Sequence, residues 1–133
     1  MAIIEKTPEE LALLKEWQNK LNLQDWYIIL KTNCDPSEMA LEDSDGCISF
    51  IEMTKAAEIQ IADPNKCDSC TLRRPFNFEE ILVHELLHLK FTLLAEGEDW
   101  DNSLQLRLLH QIIDDMARLL VSMKNEQKES TRT

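Results

Sequence analysis

One segment near the middle of the chain limits the possible folds more than any other. It spans residues 76–97 and reads FNFEEILVHELLHLKFTLLAEG, with a centre that is apolar on nearly every side. Asn77 is a suitable N-cap with Glu80 three residues later, and Gly97 is a natural helix end. The pattern predicts a helix of about twenty residues, about 30 Å long. Because most of its surface is apolar, the rest of the chain must bury it from several sides.

The remaining periodic segments can supply that cover, and they give the chain an α-β-β-β-α-α order. Thr7, Pro8 and Glu10 are typical of a helix start, with Glu10 completing a capping box. Runs that are rich in β-forming residues, or that alternate between apolar and polar, predict strands at residues 26–32, 47–53 and 57–62. This order predicts an α+β fold.

A final helix is expected after a capping signal at residues 101–103. Its predicted core stripe consists of apolar residues at helical spacing: Leu109, Ile112, Ile113, Met116, Leu119 and Leu120. Residues 124–133 are polar, and we expect them to fray. No repeat or linker divides the chain, so we expect residues 1–123 to form a single domain.

Charge and hydropathy narrow the classes of function. A formal net charge of -11 argues against nucleic acid as a partner, because an acidic surface repels phosphates. No apolar stretch is long enough to span a membrane, and the N-terminus lacks the basic and apolar regions of a secretory signal. These features predict a cytoplasmic protein, in which the four cysteines are reduced thiols or metal ligands rather than disulfides.

The polar side chains that interrupt the apolar middle of the long helix include His84, Glu85 and His88, besides Lys90 and Thr92. Burying them costs free energy unless a partner satisfies them, and a metal ion would do so. The two histidines are one turn apart, so their imidazoles project from the same face and can bind one ion. Glu85 lies roughly 100° further round the helix, where it can reach a water molecule beside that ion. The alternative is a pair of hydrogen-bonded histidines on a core helix.

A tetrahedral zinc ion with two histidine ligands needs a third protein ligand and keeps one position for water. The remaining candidates are acidic or imidazole side chains: Glu96, Glu98, Asp99, Asp101, His110, Asp114 and Asp115. We favour His110, because an antiparallel return of the last helix would bring it beside His84 and His88. Asp114, one turn further on, is expected to orient His110. The alternative for His110 is a partly exposed surface histidine.

The five residues from His84 to His88 match the His-Glu-x-x-His pattern of zinc peptidases. Phe91 and Leu94 stand where the metzincin continuation has glycine and histidine, so that class is excluded. From this motif we predict that the protein binds one zinc ion and hydrolyses a peptide bond in a peptide or protein substrate. Glu85 would be the general base.

Over most of its length the chain resembles the minimal gluzincin-type zinc metallopeptidases, which are small proteins often carried by phages and mobile elements. The resemblance includes Trp17, the Asp25-Trp26 strand opening, Gly46 at a strand start, the motif, and residues 114–120. It implies a zincin-like fold, with a three-stranded sheet beside the motif helix and the strand at residues 57–62 pairing with an extended peptide.

The same resemblance implies a glutamate as the third zinc ligand, whereas this chain has His110 at the matching position. Histidine binds zinc equally well, so this difference does not affect the prediction of zinc binding. It affects only whether the chain belongs to the class with a glutamate ligand. The alternative function is a catalytically silent, zinc-stabilised protein-binding module.

A second metal site is also conceivable from the cysteines. Cys67 and Cys70 have the spacing of half a structural zinc site, which Cys34 and Cys47 can complete. The simpler interpretation, which we favour, is that Cys67 and Cys70 are reduced thiols in a polar loop.

Overall fold

The structure is a computed structural model that describes residues 7–39, 45–66, 76–91 and 104–131. Six longer elements make up the described fold: α1 (Pro8–Lys20), β1 (Tyr27–Cys34), β2 (Gly46–Ile51), β3 (Ala56–Ala62), α2 (Phe78–Lys90) and α3 (Leu104–Thr131). Two short 3₁₀ helices, Pro36–Glu38 and Pro64–Lys66, follow β1 and β3. For these residues the predicted α-β-β-β-α-α order and the α+β class are confirmed.

The start of α1 agrees with its predicted capping box. The Glu10 N–H donates to Oγ1 of Thr7 at 3.2 Å, and the Thr7 N–H donates to Oε1 of Glu10 at 2.9 Å. These reciprocal bonds satisfy two backbone donors that a helix start would otherwise leave without partners. One turn later the buried Leu14 and Trp17 attach α1 to the main core.

β3 is the middle strand of the sheet, whose order is β1-β3-β2. It runs parallel to β1 and antiparallel to β2, so both of its hydrogen-bonding edges are occupied. The expectation that residues 57–62 pair with an extended peptide is therefore wrong. Among the described strands, the free edges belong to β1 and β2. Alternation along a strand indicates which face is buried, but it carries no information about strand order.

α2 is the motif helix and lies at the centre of the core. Asn77 caps it by accepting a hydrogen bond from the Glu80 N–H at 3.1 Å, as predicted. The helix ends at Lys90, with Phe91 as its C-cap, so the expected continuation to Gly97 is wrong. A C-cap with φ −100° and ψ 6° needs no glycine and leaves no sequence signature. Gly97 lies outside the described residues.

α3 packs against α2 with a different phase from the one predicted. Ile113, Ala117 and Val121 are fully buried, whereas the predicted core residues Ile112 and Leu119 are 51% and 59% exposed. The prediction weighted large apolar residues, but a small alanine lets two helices approach closely.

The rest of the predicted stripe of α3 lies at the margin of the core, where Leu109, Met116 and Leu120 are partly buried. The helix continues to Thr131, so residues 124–131 are helical where fraying was expected, and Lys124 is buried. None of the described helices is long and apolar enough to cross a membrane.

Candidate metal centre

Three histidines from two helices meet at the α2–α3 interface. His84 and His88 lie one turn apart on α2, and His110 faces them from α3. One ring nitrogen from each lies within 4.8 Å of the others. Their ring centroids are 4.9 to 5.4 Å apart. We call these residues the histidine cluster. They are close enough together to bind a metal ion.

The spacing of the two α2 histidines can be compared directly with metal geometry. The Nε2 atoms of His84 and His88 are 3.3 Å apart. Two nitrogens bound at 2.0–2.1 Å to one tetrahedral zinc ion are about 3.3–3.4 Å apart. The pair therefore has the separation that zinc requires. The same separation allows a weak hydrogen bond between neutral rings, so distance alone does not exclude the metal-free alternative.

The environment of the two α2 histidines favours neutral imidazoles. Burial lowers the pKa of His84, and the neighbouring His110 lowers it further, against the opposing charge of Asp114. Burial, with the neighbouring His84 and His110, lowers the pKa of His88 to about 4. A neutral imidazole has the lone pair that a metal ion needs. Both α2 histidines are thus in the ligand-competent state at neutral pH.

Asp114 has a different partner from the one predicted. Its Oδ1 lies 3.4 Å from Nδ1 of His84, and its Oδ2 accepts a hydrogen bond from Arg118 at 2.7 Å. Among the described residues it makes no such contact with His110, so the prediction that Asp114 orients His110 is wrong. On α3, Asp114 lies one turn after His110. Because α2 and α3 pack antiparallel, Asp114 faces His84, which lies one turn before His88 on α2. It is placed to hold the His84 ring with Nε2 facing the cluster.

Glu85 is a buried carboxylate that accepts no hydrogen bond from the described residues. Its residue is only 5% exposed, and no described residue donates a hydrogen bond to it. Burial raises the pKa of Glu85 to about 8. Among the described residues neither an ion pair nor a hydrogen bond stabilises its charged form, so the carboxylate is open to a proton, a water or a cation.

Gly46 explains how β2 approaches Glu85. A β-carbon added at Gly46 would lie 2.6 Å from Cγ2 of Ile81 and 3.3 Å from Oε2 of Glu85. Any larger residue would have to displace one of these neighbours. The first residue of edge strand β2 therefore lies directly beside the Glu85 carboxylate. The sequence marked Gly46 only as a strand start, because its close approach to α2 is a tertiary contact.

Of the other candidate ligands, those within the described residues, Asp114 and Asp115, do not join the histidine cluster. The residues Glu96, Glu98, Asp99 and Asp101 lie outside the described part of the chain. Asp115 is 73% exposed at its side chain and pairs with Arg118. Within the described segments, the histidine cluster is the one group of three or more metal-binding side chains close enough to hold an ion.

The cysteine prediction is only partly within the described residues. Cys34, which is half-buried, and Cys47, which is buried, lie on the two strands that flank β3 and are not joined in a disulfide. The Cys47 thiol donates to Oε1 of Gln60 at 3.1 Å. Cys67 and Cys70 lie outside the described residues, so the structure does not test whether the four form a site.

The site thus contains three imidazoles and a buried carboxylate. It reaches the surface at His110, which is exposed. Nitrogen ligands without thiolates suit zinc and several other divalent transition metals. No protein-family model, curated protein or solved structure matches the chain.

Proposed function

We propose that the protein is a zinc-dependent metallopeptidase with a zincin-like arrangement of its motif helix and sheet. The observation that carries the proposal is the buried Glu85 carboxylate, which accepts no hydrogen bond from a described residue and is adjacent to His84 of the histidine cluster. A site that only binds metal for stability gains nothing from burying an extra carboxylate there. A hydrolytic site, by contrast, needs a general base beside the metal.

Each residue of the site has a distinct role in this proposal. His84, His88 and His110 would hold the ion, which when bound supplies a Lewis acid for the scissile carbonyl and lowers the pKa of water. Glu85 accepts a proton from the attacking water and delivers it to the leaving nitrogen. A bound cation would lower the pKa of Glu85 from about 8 towards neutral pH, so that it can both gain and release a proton during turnover.

The free edge of β2 is the most suitable surface for an extended substrate. Backbone N–H and C=O groups of an edge strand can pair with a peptide, and β2 begins at Gly46, beside Glu85. A peptide paired along this edge would have its backbone next to the proposed base. β2 thus replaces the strand at residues 57–62 as the expected peptide-binding strand.

The second candidate is a zinc-stabilised protein-binding module, and one observation favours it. With a pKa of about 8, the isolated Glu85 carboxyl group is mostly protonated at neutral pH and cannot accept a proton from water. A nearby cation would lower that pKa, since an opposite charge favours the ionised form. We prefer the enzyme because the module leaves the cost of burying Glu85 without a purpose.

Replacing Glu85 separates the two candidates. Glu85→Gln keeps the size of the side chain but removes its ability to accept a proton. General acid–base catalysis is typically worth about 10²–10⁴-fold, so cleavage of an unbiased peptide library should fall by that factor while zinc content stays unchanged. Glu80→Gln, in the first turn of the same helix, is the matched control and should cleave normally.

The outcomes differ clearly between the candidates. Equal chelator-sensitive cleavage by wild type and Glu85→Gln would exclude Glu85 as the base. A zinc-loaded wild type that cleaves nothing in the library would favour the binding module.

A further inference from the structure

A second polar cluster joins the three described α-helices at the opposite end of the α2–α3 interface. Its centre is Lys124, whose side chain is only 7% exposed. The Lys124 Nζ pairs with Oε2 of Glu16 on α1 at 3.0 Å and donates to Oε2 of Glu79 on α2. The same Glu79 oxygen accepts a hydrogen bond from Nε1 of Trp17 at 2.7 Å. We call these four residues the lysine cluster.

The lysine cluster satisfies its own charges. Burial lowers the pKa of Lys124, but the hydrogen bonds to Glu79 and Glu16 outweigh that effect and the pKa is raised overall. The ammonium group therefore stays charged at any physiological pH. A buried ion pair of this kind contributes little net stability compared with an apolar replacement of the same size. Its best-attested use in proteins is to fix the register between packed elements.

Apolar packing between α2 and α3 does not fix that register strongly. The buried side chains of α3 between the two clusters are Ile113, Ala117 and Val121, and those of α2 are nearly all leucine or valine. Aliphatic interfaces tolerate repacking as long as volume and pattern are kept. A slip of one helical turn would move His110 by about 5.4 Å, which is enough to separate it from His84 and His88.

The two clusters are well placed to act together. Lys124 lies fourteen residues after His110 on the same helix, a separation of about 21 Å along the axis. Two polar contacts that far apart determine both the slide and the rotation of α3 on α2. We infer that Lys124 is a positioning residue for the metal centre: its bridge to Glu79 sets the register at which His110 meets the α2 histidines.

This inference rests on the proposed metal centre for its purpose, but its geometry can be tested without metal. In chelator-treated protein, nuclear Overhauser contacts between the imidazole rings report their separation. The His84–His88 contact lies within α2 and serves as an internal control, whereas both contacts to His110 cross the interface. Lys124→Met should stay folded and keep the first contact, and it should lose at least half the intensity of the other two.

Three further variants define the cause. Lys124→Arg keeps the charge and should restore the contacts to His110. Lys20→Met is the matched control. Lys20 also pairs with Glu16, at 2.8 Å, and lies over Trp17, but among the described residues it forms no bridge to α2. This substitution should leave the contacts to His110 unchanged. If Lys124→Met does not fold, Glu79→Gln weakens the same bridge while keeping an acceptor for the Trp17 N–H, and should weaken the same contacts.

Zinc affinity provides the second readout. We expect Lys124→Met to bind zinc about tenfold less tightly than wild type, at the lower end of the effects seen for residues that support metal ligands. A folded Lys124→Met protein with unchanged contacts to His110 would overturn the inference. Wild type that shows those contacts but takes up no metal would instead overturn the metal centre and leave the role of Lys124 in register intact.

Discussion

The histidine cluster and the lysine cluster lie at the same helix interface but differ in how their polar groups are satisfied. In the lysine cluster, opposite charges and a tryptophan N–H complete one another within the protein. In the histidine cluster, three bases face one another, and the adjacent Glu85 has no donor among the described residues. Burying incomplete groups costs free energy that folding alone does not recover. The difference supports the proposal that the lysine cluster is architectural and that the histidine cluster binds a metal ion.

The largest expected effect comes from removing a proposed ligand. His88→Ala should weaken zinc binding by more than about 100-fold, because loss of a supporting residue alone costs about 10–100-fold. His110→Ala should have a comparable effect, measured by competition with a chelator of known affinity. Gln111→Ala, an exposed neighbour on α3, is the control. If His110→Ala binds zinc like this control, the third ligand is another residue.

A smaller loss is expected when the support of one ligand is removed. Asp114→Asn keeps the shape of the side chain but loses the charge that faces Nδ1 of His84. Zinc affinity should fall by about 10–100-fold, whereas Asp115→Asn, next to it and exposed, should leave it unchanged. Equal effects of the two substitutions would show that only the general negative charge of α3 matters.

The raised pKa of the buried Glu85 also lets us predict how the stability of the metal-free protein changes with pH. The unfolded chain releases the Glu85 proton near its ordinary pKa of 4.5, whereas the folded protein holds it to about pH 8. The folded state therefore binds more protons in this range, and stability falls as pH rises. Below pH 6.5, His88 has the opposite effect on stability. Its pKa is about 4 in the folded protein, so in this range the unfolded chain takes up a proton that the folded ring does not.

The effect of Glu85 should thus be visible alone between pH 6.5 and 8, where the free energy of unfolding should fall by about 2 kcal/mol. Urea unfolding of chelator-treated protein measures it. Glu85→Gln should show no such fall and should be more stable than wild type at pH 8. An identical fall in Glu85→Gln would assign the titration to another group.

The smallest effect concerns the lysine cluster. Trp17→Phe removes the N–H that donates to Glu79 but leaves the Lys124 bridge in place, so it should cost about 1 kcal/mol of stability from the lost hydrogen bond. Zinc affinity should hardly change. Trp26→Phe, whose ring packs against Phe50, is the comparison that removes an indole N–H outside the cluster. A large loss of zinc binding in Trp17→Phe would mean that Trp17, as well as Lys124, sets the helix register.

Local patterns made much of the site predictable. The spacing of His84 and His88 determines that they share a face of α2, whatever surrounds the helix. The caps at Thr7 and Asn77 depend on residues three positions apart and were predicted for the same reason. The proximity of His110 required only that the last helix return antiparallel, which the shortness of the chain favours.

The features that depend on the relative placement of elements were not predictable in this way. Asp114 contacts His84 because of the register between α2 and α3, and β3 is central because of how the strands are connected in space. The sequence predicts a frayed tail from Lys124 onwards because the last ten residues are polar. The position of Lys124 did carry a signal, since it continues the buried series Ile113, Ala117 and Val121 at helical spacing.

X-ray absorption at the zinc edge of the loaded wild-type protein tests the central claim most directly. The account predicts one zinc ion per chain with three imidazole nitrogens and one oxygen ligand, and with no sulfur. Loss of one imidazole from the spectrum of His110→Ala should accompany it. A protein that takes up no zinc, or a zinc ion bound by sulfur in a spectrum that His84→Ala and His88→Ala leave unchanged, would contradict the account.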